Sequence, residues 1–423
     1  NPYVKLKTIF AVQNPKPLKT VDIRSFKNTT AIVRVDFNVP LDKQNKVTDD
    51  TRIRAALPTI QKILSDGGAV VLMSHLGRPL KKLNEDGTLN IEKFTLRHVV
   101  PTLEKLLNKP VKFVADCVSD EALAMSSSLQ AGEVLLLENL RFHKAEEKGD
   151  LDFAKRLATH GQIYVNDAFG TAHRAHASTT QIAQYFTEEN KVFGKLMAAE
   201  VSNAARVLKA SEAPFAAIIG GAKVSDKILI IENLLDRANF ILIGGGMSYT
   251  FLKALGHPIG KSLCEEDKLE LALDVLAKAK AKGVQVLLPI DHVVADSFSN
   301  EASFKTIAIT ENSGDNMGLD LGIESIKMYT NVILKSRTIL WNGPMGVFEM
   351  PNFQKGTVAI AQAVAQATKA GAFSLVGGGD SVAAVTQFGL EKEVSFVSTG
   401  GGALLAYFEG KTLPGINALI SNN

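Results

Sequence analysis

The stretch "LVGGGDSVAAV", residues 375–385, decides the fold class and raises a question about charge. An apolar run stops at three glycines, and after an acid and a hydroxyl comes a run that can start a helix. A glycine-rich helix start lets backbone N–H groups approach an anion, so the stretch predicts a strand–loop–helix unit that binds phosphate. However, no lysine follows the glycines as in GxxxxGK[ST] loops, and the charged residue is Asp380. The cations must come from elsewhere in the chain.

Short apolar runs like the one before this loop recur along the whole chain. Most are rich in β-branched residues, and amphipathic helical patterns lie between them, for example over residues 51–68 and 265–283. This alternation predicts an α/β fold built on parallel sheets. The predicted strands are AIVRVDF (31–37), AVVLMSH (69–75), VKFVAD (111–116), EVLLLEN (133–139), IYVND (163–167), FAAIIGG (215–221), FILIGGG (240–246), VQVLLP (284–289), TILWNG (338–343), FSLVGGG (373–379) and VSFVSTGGG (394–402).

The residues that follow these runs differ between the two halves of the chain. In residues 1–180 they include arginine and histidine, and in residues 215–402 they are rich in glycine. Because ligands of open α/β sheets bind outside the carboxyl ends of the strands, each half is expected to hold its own anionic ligand. Between the halves, residues 193–214 place apolar side chains on one helical stripe, which predicts a helix that joins two domains.

The composition argues against several classes of protein. The 423 residues carry 47 basic and 44 acidic side chains, a net charge of +3, which is too balanced to indicate nucleic acid or an anionic membrane. The first twenty residues lack the apolar core of a secretory signal, and no apolar run is long enough to span a membrane. Cys117 and Cys264 cannot form a disulfide framework, so we expect reduced thiols in a cytoplasmic protein.

Three loops after predicted strands carry both arginine and histidine. They are SHLGRP (74–79), LENLRFH (138–143) and NDAFGTAHRAH (166–176). An arginine fork matches the oxygens of a carboxylate or phosphate, so we interpret the loops together as an anion site. The histidines lack the spacing of a metal cluster, and no metal is expected on them. Arg34 either joins this site or forms a salt bridge with Asp36, on the same face of its strand.

The stretch GGAKVSDK (220–227) offers cations that the glycine-rich loop lacks. Lys227 is predicted in the first turn of the next helix, where the helix dipole disfavours a positive charge. An anion between Lys223 and Lys227 would reverse this effect. The alternative is that Lys227 bends into solvent or pairs with Asp226 or Glu232.

Asp380 has two interpretations, which are compatible. A magnesium ion between this carboxylate and a phosphate would explain an acid in a phosphate loop, because Mg²⁺ prefers one or two carboxylates plus phosphate and water. The alternative is that Asp380 caps the helix. The stretches GGGM (244–247) and NGPMGVFE (342–349) are weaker indications, since glycine also serves turns and close packing. Together the residues predict a two-domain phosphotransferase without naming its substrate.

Taken in order, the motifs resemble the signatures of the phosphoglycerate kinase family over roughly residues 20–420. The resemblance implies two Rossmann-like domains with parallel β-sheets: an N-terminal domain over 1–187, a C-terminal domain over 188–404 and a tail over 405–423 that returns to the first domain. A hinge helix over 194–210 would link the domains. The motifs are RVDFNVP (34–40), SHLGRP, LENLRFH, NDAFGTAHRAH, GGAKVSDK, WNGPMGVFE (341–349), GGGDS (377–381), STGGGA (398–403) and EGKTLPG (409–415).

The resemblance also implies the reaction, its partners and the residues of the site. The enzyme would be a cytoplasmic monomer that transfers a phosphoryl group reversibly from 1,3-bisphosphoglycerate to ADP, with Mg²⁺ and with no nucleic-acid or membrane partner. The glycerate substrate would be held by Asp36, Asn38, Arg52, His75, Arg78, Arg141 and Arg174. The nucleotide would be held by Gly221, Lys223, Lys227, Gly245, Gly318, Asn342, Glu349, Gly378, Gly379, Asp380 and Ser381, with Asp380 as the magnesium ligand.

The chemistry is expected to rest on position and charge rather than on a covalent intermediate. We hypothesise that Arg52 and Lys223 bind the oxygens of the moving phosphoryl group, and that N–H groups of Gly379 and Gly402 complete its binding site. A non-catalytic hinged binding protein is one alternative, but it has no use for the two lysines and Asp380 in the opposite half. A dinucleotide dehydrogenase is another, but the glycine runs lack GxGxxG spacing followed by an acid.

Overall fold

The computed structural model describes residues 18–209 and 211–420. By the contacts among its residues the chain divides into two compact units. The first unit takes in the described residues up to Val201 together with the chain from Thr412 onward, and the second unit runs Ser202–Lys411. Each unit has its own sheet and its own hydrophobic core.

The units divide later in the chain than the predicted domain boundaries, which lie after residues 187 and 404. Lys191–Phe193 pairs as a strand with the first sheet, so the first unit extends past residue 187. At the other boundary, the carbonyl oxygen of Phe408 accepts a hydrogen bond of 2.7 Å from Asn233 Nδ2, within the second unit. The described residues after Thr412 pack with the first unit, where Gly415 N–H donates to the carbonyl oxygen of Ala172.

The first unit is built on a six-stranded sheet in which every strand pairing is parallel. The order across the sheet is β3-β4-β2-β1-β5-β6. Its central strands are buried on both faces, which is why they appear in the sequence as continuous apolar runs. The strands are β1 (Thr30–Arg34), β2 (Ala69–Met73), β3 (Lys112–Val114), β4 (Val134–Leu137), β5 (Ile163–Asn166) and β6 (Lys191–Phe193).

Helices connect these strands and bury one face each. In the helix over Thr51–Ser65, Ile53, Ile60 and Ile63 are fully buried, and the helix is followed by Gly67 in the left-handed region. Other helices begin after a polar N-cap residue. At the helix Asp120–Ser127, for example, Ser119 Oγ accepts from Ala122 N–H. The helices are α1 (Thr51–Ser65), α2 (Ile91–Phe94), α3 (Val100–Leu107), α4 (Asp120–Ser127), α5 (Lys144–Lys148), α6 (Leu151–Ala158) and α7 (Lys195–Lys209).

The α7 helix runs across the boundary between the two units. It lies where the sequence predicts a linking helix over 194–210, and residue 210 is outside the described residues. Its start is fixed within the first unit, because Met197 N–H donates to Asp167 Oδ1 at 3.1 Å.

The second unit has a six-stranded parallel sheet in the order β15-β14-β13-β7-β8-β9. Trp341, the single tryptophan of the chain, is fully buried in its core. A separate three-stranded antiparallel sheet has the order β11-β10-β12. The strands are β7 (Phe215–Ile219), β8 (Phe240–Ile243), β9 (Gln285–Leu287), β10 (Asp291–Ala295), β11 (Phe304–Ala308), β12 (Met317–Leu321), β13 (Thr338–Asn342), β14 (Phe373–Val376) and β15 (Phe396–Val397).

The predicted α/β class with parallel sheets is confirmed, and each predicted strand is present. The sequence did not predict β6 or the antiparallel sheet. The β11 strand is mostly exposed and so lacks an apolar run, and β12 includes Gly318 and Asp320. The β10 strand follows β9 so closely that the two form one apolar region.

The helices of the second unit pack on its parallel sheet or connect its strands. Among the residues described, no helix is both long and apolar enough to cross a membrane. The remaining helices are α8 (Ile228–Leu234), α9 (Ser248–Ala254), α10 (Leu269–Ala281), α11 (Ile323–Lys335), α12 (Lys355–Lys369), α13 (Gly379–Gln387), α14 (Gly402–Phe408) and, in the first unit, α15 (Pro414–Ile420).

Candidate functional site

The predicted anion-binding residues of the first unit follow four adjacent strands of one sheet. β4, β2, β1 and β5 are neighbours, and their carboxyl ends lie along one edge because the strands are parallel. The topology therefore gathers at one edge loops that lie far apart in the sequence. Asp36 and Asn38 follow β1, His75 and Arg78 follow β2, Arg141 follows β4, Arg174 follows β5, and Arg52 lies in the first turn of α1.

Arg52 is held by the loop that follows β1. Its Nη1 donates to both carboxylate oxygens of Asp36, each at 3.2 Å, and to the carbonyl oxygen of Asn38 at 3.0 Å. Among the described residues only Nη1 of this guanidinium donates, and the side chain is 41% exposed. The arrangement fixes the guanidinium while leaving Nε and Nη2 for an anion.

Hydrogen bonds from the backbone to the side chains of Asn38 and Ser74 link the loop after β1 to the loop after β2. Asn38 Oδ1 accepts from Gly77 N–H at 2.8 Å, and Ser74 Oγ accepts from Phe37 N–H at 2.8 Å. The side chain of Asn38 thus holds the backbone of the loop that carries His75 and Arg78.

Arg34 is fully buried beneath this edge, and the alternative of a salt bridge with Asp36 is wrong. Its Nε donates to Ser178 Oγ at 2.8 Å, its Nη1 donates to the carbonyl oxygen of Val35, and its Nη2 lies 3.1 Å from His75 Nδ1. Asp36 pairs with Arg52 instead. Arg34 therefore orients His75 from below and supplies buried positive charge to the site.

The other arginines of the set differ in exposure. Arg141 is buried, donates from Nη1 to the carbonyl oxygen of Gly77 at 3.1 Å, and has a buried Nε without a hydrogen-bond partner. Burial, followed by the nearby charge of Arg34, lowers the pKa of Arg141 to about 10. Arg78 is exposed and Arg174 is half-buried. The Nε of Arg141 forms a long ion pair with Glu147 Oε1, at 3.9 Å.

His75 and His176 are neutral at physiological pH. Burial lowers the pKa of His75 well below its usual value, and the positive charges of Arg34 and Arg141 add to the effect. Burial and the same arginines lower the pKa of His176 to about 4. The site therefore holds its positive charge on arginines and uses histidines as neutral hydrogen-bonding groups.

In the second unit, a cavity of about 500 Å³ opens between the parallel sheet and the antiparallel sheet. Gly318 lies in its lining, and an added Cβ there would lie 1.6 Å from Tyr249 Oη, so glycine leaves room for the Tyr249 side chain. The predicted nucleotide residues that line it are Gly221, Gly245, Gly318, Glu349 and Asp380.

Three of the other predicted nucleotide residues, Lys227, Asn342 and Ser381, form hydrogen bonds beside the strand ends. Lys227 Nζ donates to Asn342 Oδ1, and Asn342 Nδ2 donates to the carbonyl oxygen of Gly377 at 2.8 Å. Gly343 N–H donates to Ser381 Oγ at 2.5 Å, and Ser381 is fully buried. The alternative that Lys227 bends into solvent or pairs with Asp226 or Glu232 is thus wrong. Burial also lowers the pKa of Lys227.

Two helix boundaries differ from the predicted ones. α8 begins at Ile228 after a short 3₁₀ turn over Val224–Asp226, so Lys227 is its N-cap rather than a first-turn residue. α13 is capped by Gly378, whose φ of 95° suits glycine, so the alternative that Asp380 caps the helix is wrong. Asp380 lies in the first turn with an exposed side chain. Its carboxylate is therefore not used for capping.

Lys223, Gly379 and Gly402 are exposed at this end of the sheet. Lys223 lies just before the turn that leads to α8, and the two glycines are the first residues of α13 and α14. An N–H group in the first turn of a helix has no partner inside the helix, so both glycines present donors. The structure places all three after strands β7, β14 and β15, respectively.

The sequence did not point to three polar residues that line the cavity, namely Tyr249, His292 and Asp320. His292 Nδ1 lies 2.9 Å from Tyr249 Oη, and its Nε2 is buried with no hydrogen-bond partner. Burial lowers the pKa of His292 to about 4 and raises that of Asp320 to about 7. Asp320, between Leu319 and Leu321 on β12, gave a weak signal, whereas Tyr249 on α9 and His292 on β10 gave none.

Replacing His292 with Phe is expected to weaken the acid sensitivity of the second unit. The unfolded chain binds a proton at His292 below about pH 6.5, whereas the folded chain does so only near pH 4, so wild-type stability falls between these values. Between pH 7 and pH 4, the free energy of unfolding should fall by about 1–3 kcal/mol less in the variant than in the wild type. Fluorescence of Trp341, which lies in the second unit, would follow denaturant unfolding at each pH. Identical pH dependence in the two proteins would contradict the prediction.

Comparison with known proteins identifies the family. The model of the family described as phosphoglycerate kinase matches residues 21–411. The chain is 52% identical over 401 residues to a phosphoglycerate kinase of Chloroherpeton thalassium, covering 95% of this chain and 98% of that protein. It is 51% identical over 424 residues to one of Porphyromonas gingivalis, covering 95% and 99%.

Solved structures agree with these sequence matches. The chain matches the phosphoglycerate kinase of Coxiella burnetii with a TM-score of 0.86 and 40% identity, covering 95% of this chain and 99% of that one. It matches that of Pyrococcus horikoshii OT3 with a TM-score of 0.78 and 30% identity, covering 95% and 98%. The chain therefore belongs to the phosphoglycerate kinase family, phosphotransferases with a carboxyl acceptor that act in glycolysis.

Proposed function

We propose that the first unit binds 3-phosphoglycerate or 1,3-bisphosphoglycerate, and that the second unit binds Mg²⁺ with ADP or ATP. The observation that carries this assignment is the cavity of about 500 Å³ in the second unit, which several predicted nucleotide residues line together. The first unit instead gathers arginine side chains at its sheet edge. The contrast suits a compact, highly charged ligand on one unit and a larger ligand with an apolar base on the other.

The chemistry of the first site supports a phosphorylated carboxylic acid. Arg52 offers two unused donor positions, and Arg141 adds a buried guanidinium charge. Neutral His75 accepts from Arg34 at Nδ1 and can donate from Nε2 to a ligand oxygen, and Asp36 and Asn38 also position Arg52. Asp36, Asn38, Arg52, His75, Arg78, Arg141 and Arg174 would together hold the substrate.

The second site fits a nucleotide with its phosphates at the strand ends. The nucleobase would lie in the cavity near Gly245 and Gly318, and the exposed carboxylate of Glu349 would accept from ribose hydroxyls. Lys223, Lys227 and the N–H groups of α13 would hold the phosphates. Asn342 keeps Lys227 in place.

Asp380 fits the role of magnesium ligand. Its carboxylate is exposed, lies at the cavity and is not the helix cap. One carboxylate, with nucleotide phosphates and water, is a donor set that Mg²⁺ accepts. The bound ion would neutralise phosphate charge beside a carboxylate that otherwise repels it.

The reaction needs no covalent intermediate on the enzyme. An ADP oxygen attacks the acyl phosphate in line, the bond from phosphorus to the carboxylate oxygen breaks, and 3-phosphoglycerate leaves as an anion. Arg52 and Lys223 would bind the oxygens of the moving group, and N–H groups of Gly379 and Gly402 would add fixed donors. A general base is unnecessary because the attacking oxygen is already ionised.

Transfer requires the two ligands to meet, so we propose that the enzyme closes about the α7 helix when both are bound. Each ligand alone would favour closure less than the pair. Small-angle scattering should show a smaller radius of gyration with both ligands than with either one. An unchanged radius in the ternary state would contradict closure.

We also propose that the enzyme acts as a cytoplasmic monomer on small molecules, without a nucleic-acid or membrane partner. The balanced net charge of +3 and the two free cysteines support this setting. Light scattering coupled to size-exclusion chromatography would test the monomer, and a mass of two chains would contradict it.

Hydrogen–deuterium exchange with single ligands would test the assignment of ligands to units. 3-Phosphoglycerate should slow exchange in peptides covering residues 74–79 and 138–143. Mg-ADP should instead slow exchange over residues 220–227 and 377–385. Protection of the second unit's loops by 3-phosphoglycerate, or of the first unit's loops by Mg-ADP, would overturn it.

A further inference from the structure

We propose that Asp116, Cys117 and His143 bind a thiophilic divalent metal ion such as Zn²⁺, at a site that takes no part in the proposed phosphoryl transfer. One ligand atom from each residue lies within 4.8 Å of the others. Asp116 and Cys117 follow β3, and His143 follows the turn after β4, the adjacent strand. The pairing of these strands brings together three residues whose spacing in the sequence gives no metal motif.

The ligand set suits zinc better than magnesium or calcium. It offers one sulfur, one imidazole nitrogen and one carboxylate oxygen, and soft thiolate with imidazole favours Zn²⁺ over ions that prefer oxygen. Bonds of about 2.0–2.3 Å in a tetrahedron would separate the ligand atoms by about 3.3–3.8 Å. The cluster therefore needs only a small contraction, and water would supply the fourth ligand.

Neighbouring groups hold the three residues in place. Val118 N–H donates to Asp116 Oδ1 at 2.8 Å, which leaves Oδ2 for a metal. His160 Nε2 contacts the carbonyl oxygen of Cys117 at 2.8 Å and anchors the backbone of the thiol. The His143 ring lies 5.2 Å from the ring of Phe153, centroid to centroid. Such outer contacts orient ligands in metal sites.

Access and charge also favour a cation. The side chains of Asp116 and His143 are 40% and 31% exposed, whereas Cys117 is buried, so an ion arriving from solvent would meet the thiol at the inner end. The Asp116 carboxylate is the acidic group of the cluster itself. Without a metal, His143 Nε2 lies 3.3 Å from Asp116 Oδ1. The metal would replace this contact, with His143 Nε2 and Asp116 Oδ2 as ligands, and the Cys117 thiol would release its proton to solvent.

The test is a Co²⁺ titration of the full chain after treatment with a chelator. Tetrahedral Co²⁺ with a thiolate ligand should give a sulfur-to-cobalt charge-transfer band and intense visible bands, saturating at one ion per chain and reversed by Zn²⁺. Cys117→Ser should abolish the charge-transfer band, whereas Cys264→Ser, at the other cysteine, should retain it. His143→Gln should weaken Co²⁺ binding at least about tenfold, since loss of even an outer-shell partner costs 10–100-fold.

The variants distinguish a metal ion bound at Cys117 from one bound elsewhere on the chain. Co²⁺ bound only through oxygen, as at Asp380, would give weak visible bands and no charge transfer, and that result alone would overturn the proposal. A charge-transfer band that survives Cys117→Ser would also overturn it. Cys117 is buried, and its variant could misfold. The His143→Gln variant provides an independent test, because His143 is partly exposed. Unchanged Co²⁺ affinity in folded His143→Gln would contradict the site.

Discussion

Replacing Arg52 with Ala is expected to lower kcat for ATP formation on the order of 10²–10³-fold, the loss typical of removing one preorganised donor to a transition-state charge. The affinity for Mg-ADP should change little, because Arg52 lies in the first unit and belongs to the proposed substrate site. The guanidinium is fixed by Asp36 and Asn38 with Nε and Nη2 unused, so its contribution is electrostatic. Steady-state kinetics would measure kcat, and calorimetry would measure the affinity for Mg-ADP.

A matched control for this variant lies on the same helix. Arg54 is 61% exposed and pairs with Asp50 at 2.9 Å, so Arg54→Ala removes an equal charge near the site without touching the proposed machinery. Its kcat should stay close to that of the wild type. A near-normal kcat in Arg52→Ala, or an equal loss in Arg54→Ala, would remove Arg52 from the catalytic role.

Replacing Asp380 with Asn is expected to raise the KM for Mg-ADP at least about tenfold and to lower kcat, with an overall loss on the order of 10²-fold in kcat/KM. The substitution keeps the shape of the side chain and removes the charge that would hold Mg²⁺. Helix α13 should stay intact, because Gly378 and not Asp380 is its cap. Excess Mg²⁺ should restore part of the activity. The measurement is the rate as a function of both Mg²⁺ and ADP.

The control is an exposed acid in the same unit. Asp236 forms an ion pair with Lys282 and lies outside the cavity lining, so Asp236→Asn should leave the Mg²⁺ dependence unchanged. The affinity for 3-phosphoglycerate should also stay constant in Asp380→Asn. An unaltered Mg²⁺ dependence in Asp380→Asn would exclude it as the metal ligand.

Much of the fold could be predicted because parallel strands buried on both faces appear as continuous apolar runs. The antiparallel sheet could not be predicted in this way, since β11 is largely exposed and β12 includes a glycine at the cavity. Register and edge strands depend on pairing between distant residues. Lys191, for instance, begins β6 despite its charge and pairs with Tyr164.

The sequence proposes members for the candidate site, but the contacts among them depend on the fold. Sequence position places Arg34 near Asp36, yet its partner Ser178 lies 144 residues away, and only the fold brings them together. Likewise Lys227 meets Asn342, and His143 meets Asp116 and Cys117, through strand pairings that no spacing rule specifies. The buried Nε2 of His292 was missed because a single histidine in an apolar stretch carries no distinguishing signal.

The most direct test of the proposed phosphoryl transfer is a coupled assay for ATP formation from 1,3-bisphosphoglycerate and ADP. We expect Mg²⁺-dependent ATP formation by the wild type, which needs both substrates, and its near loss in Arg52→Ala while Mg-ADP still binds. A wild-type protein that binds both ligands in the presence of Mg²⁺ but forms no ATP would contradict the central claim.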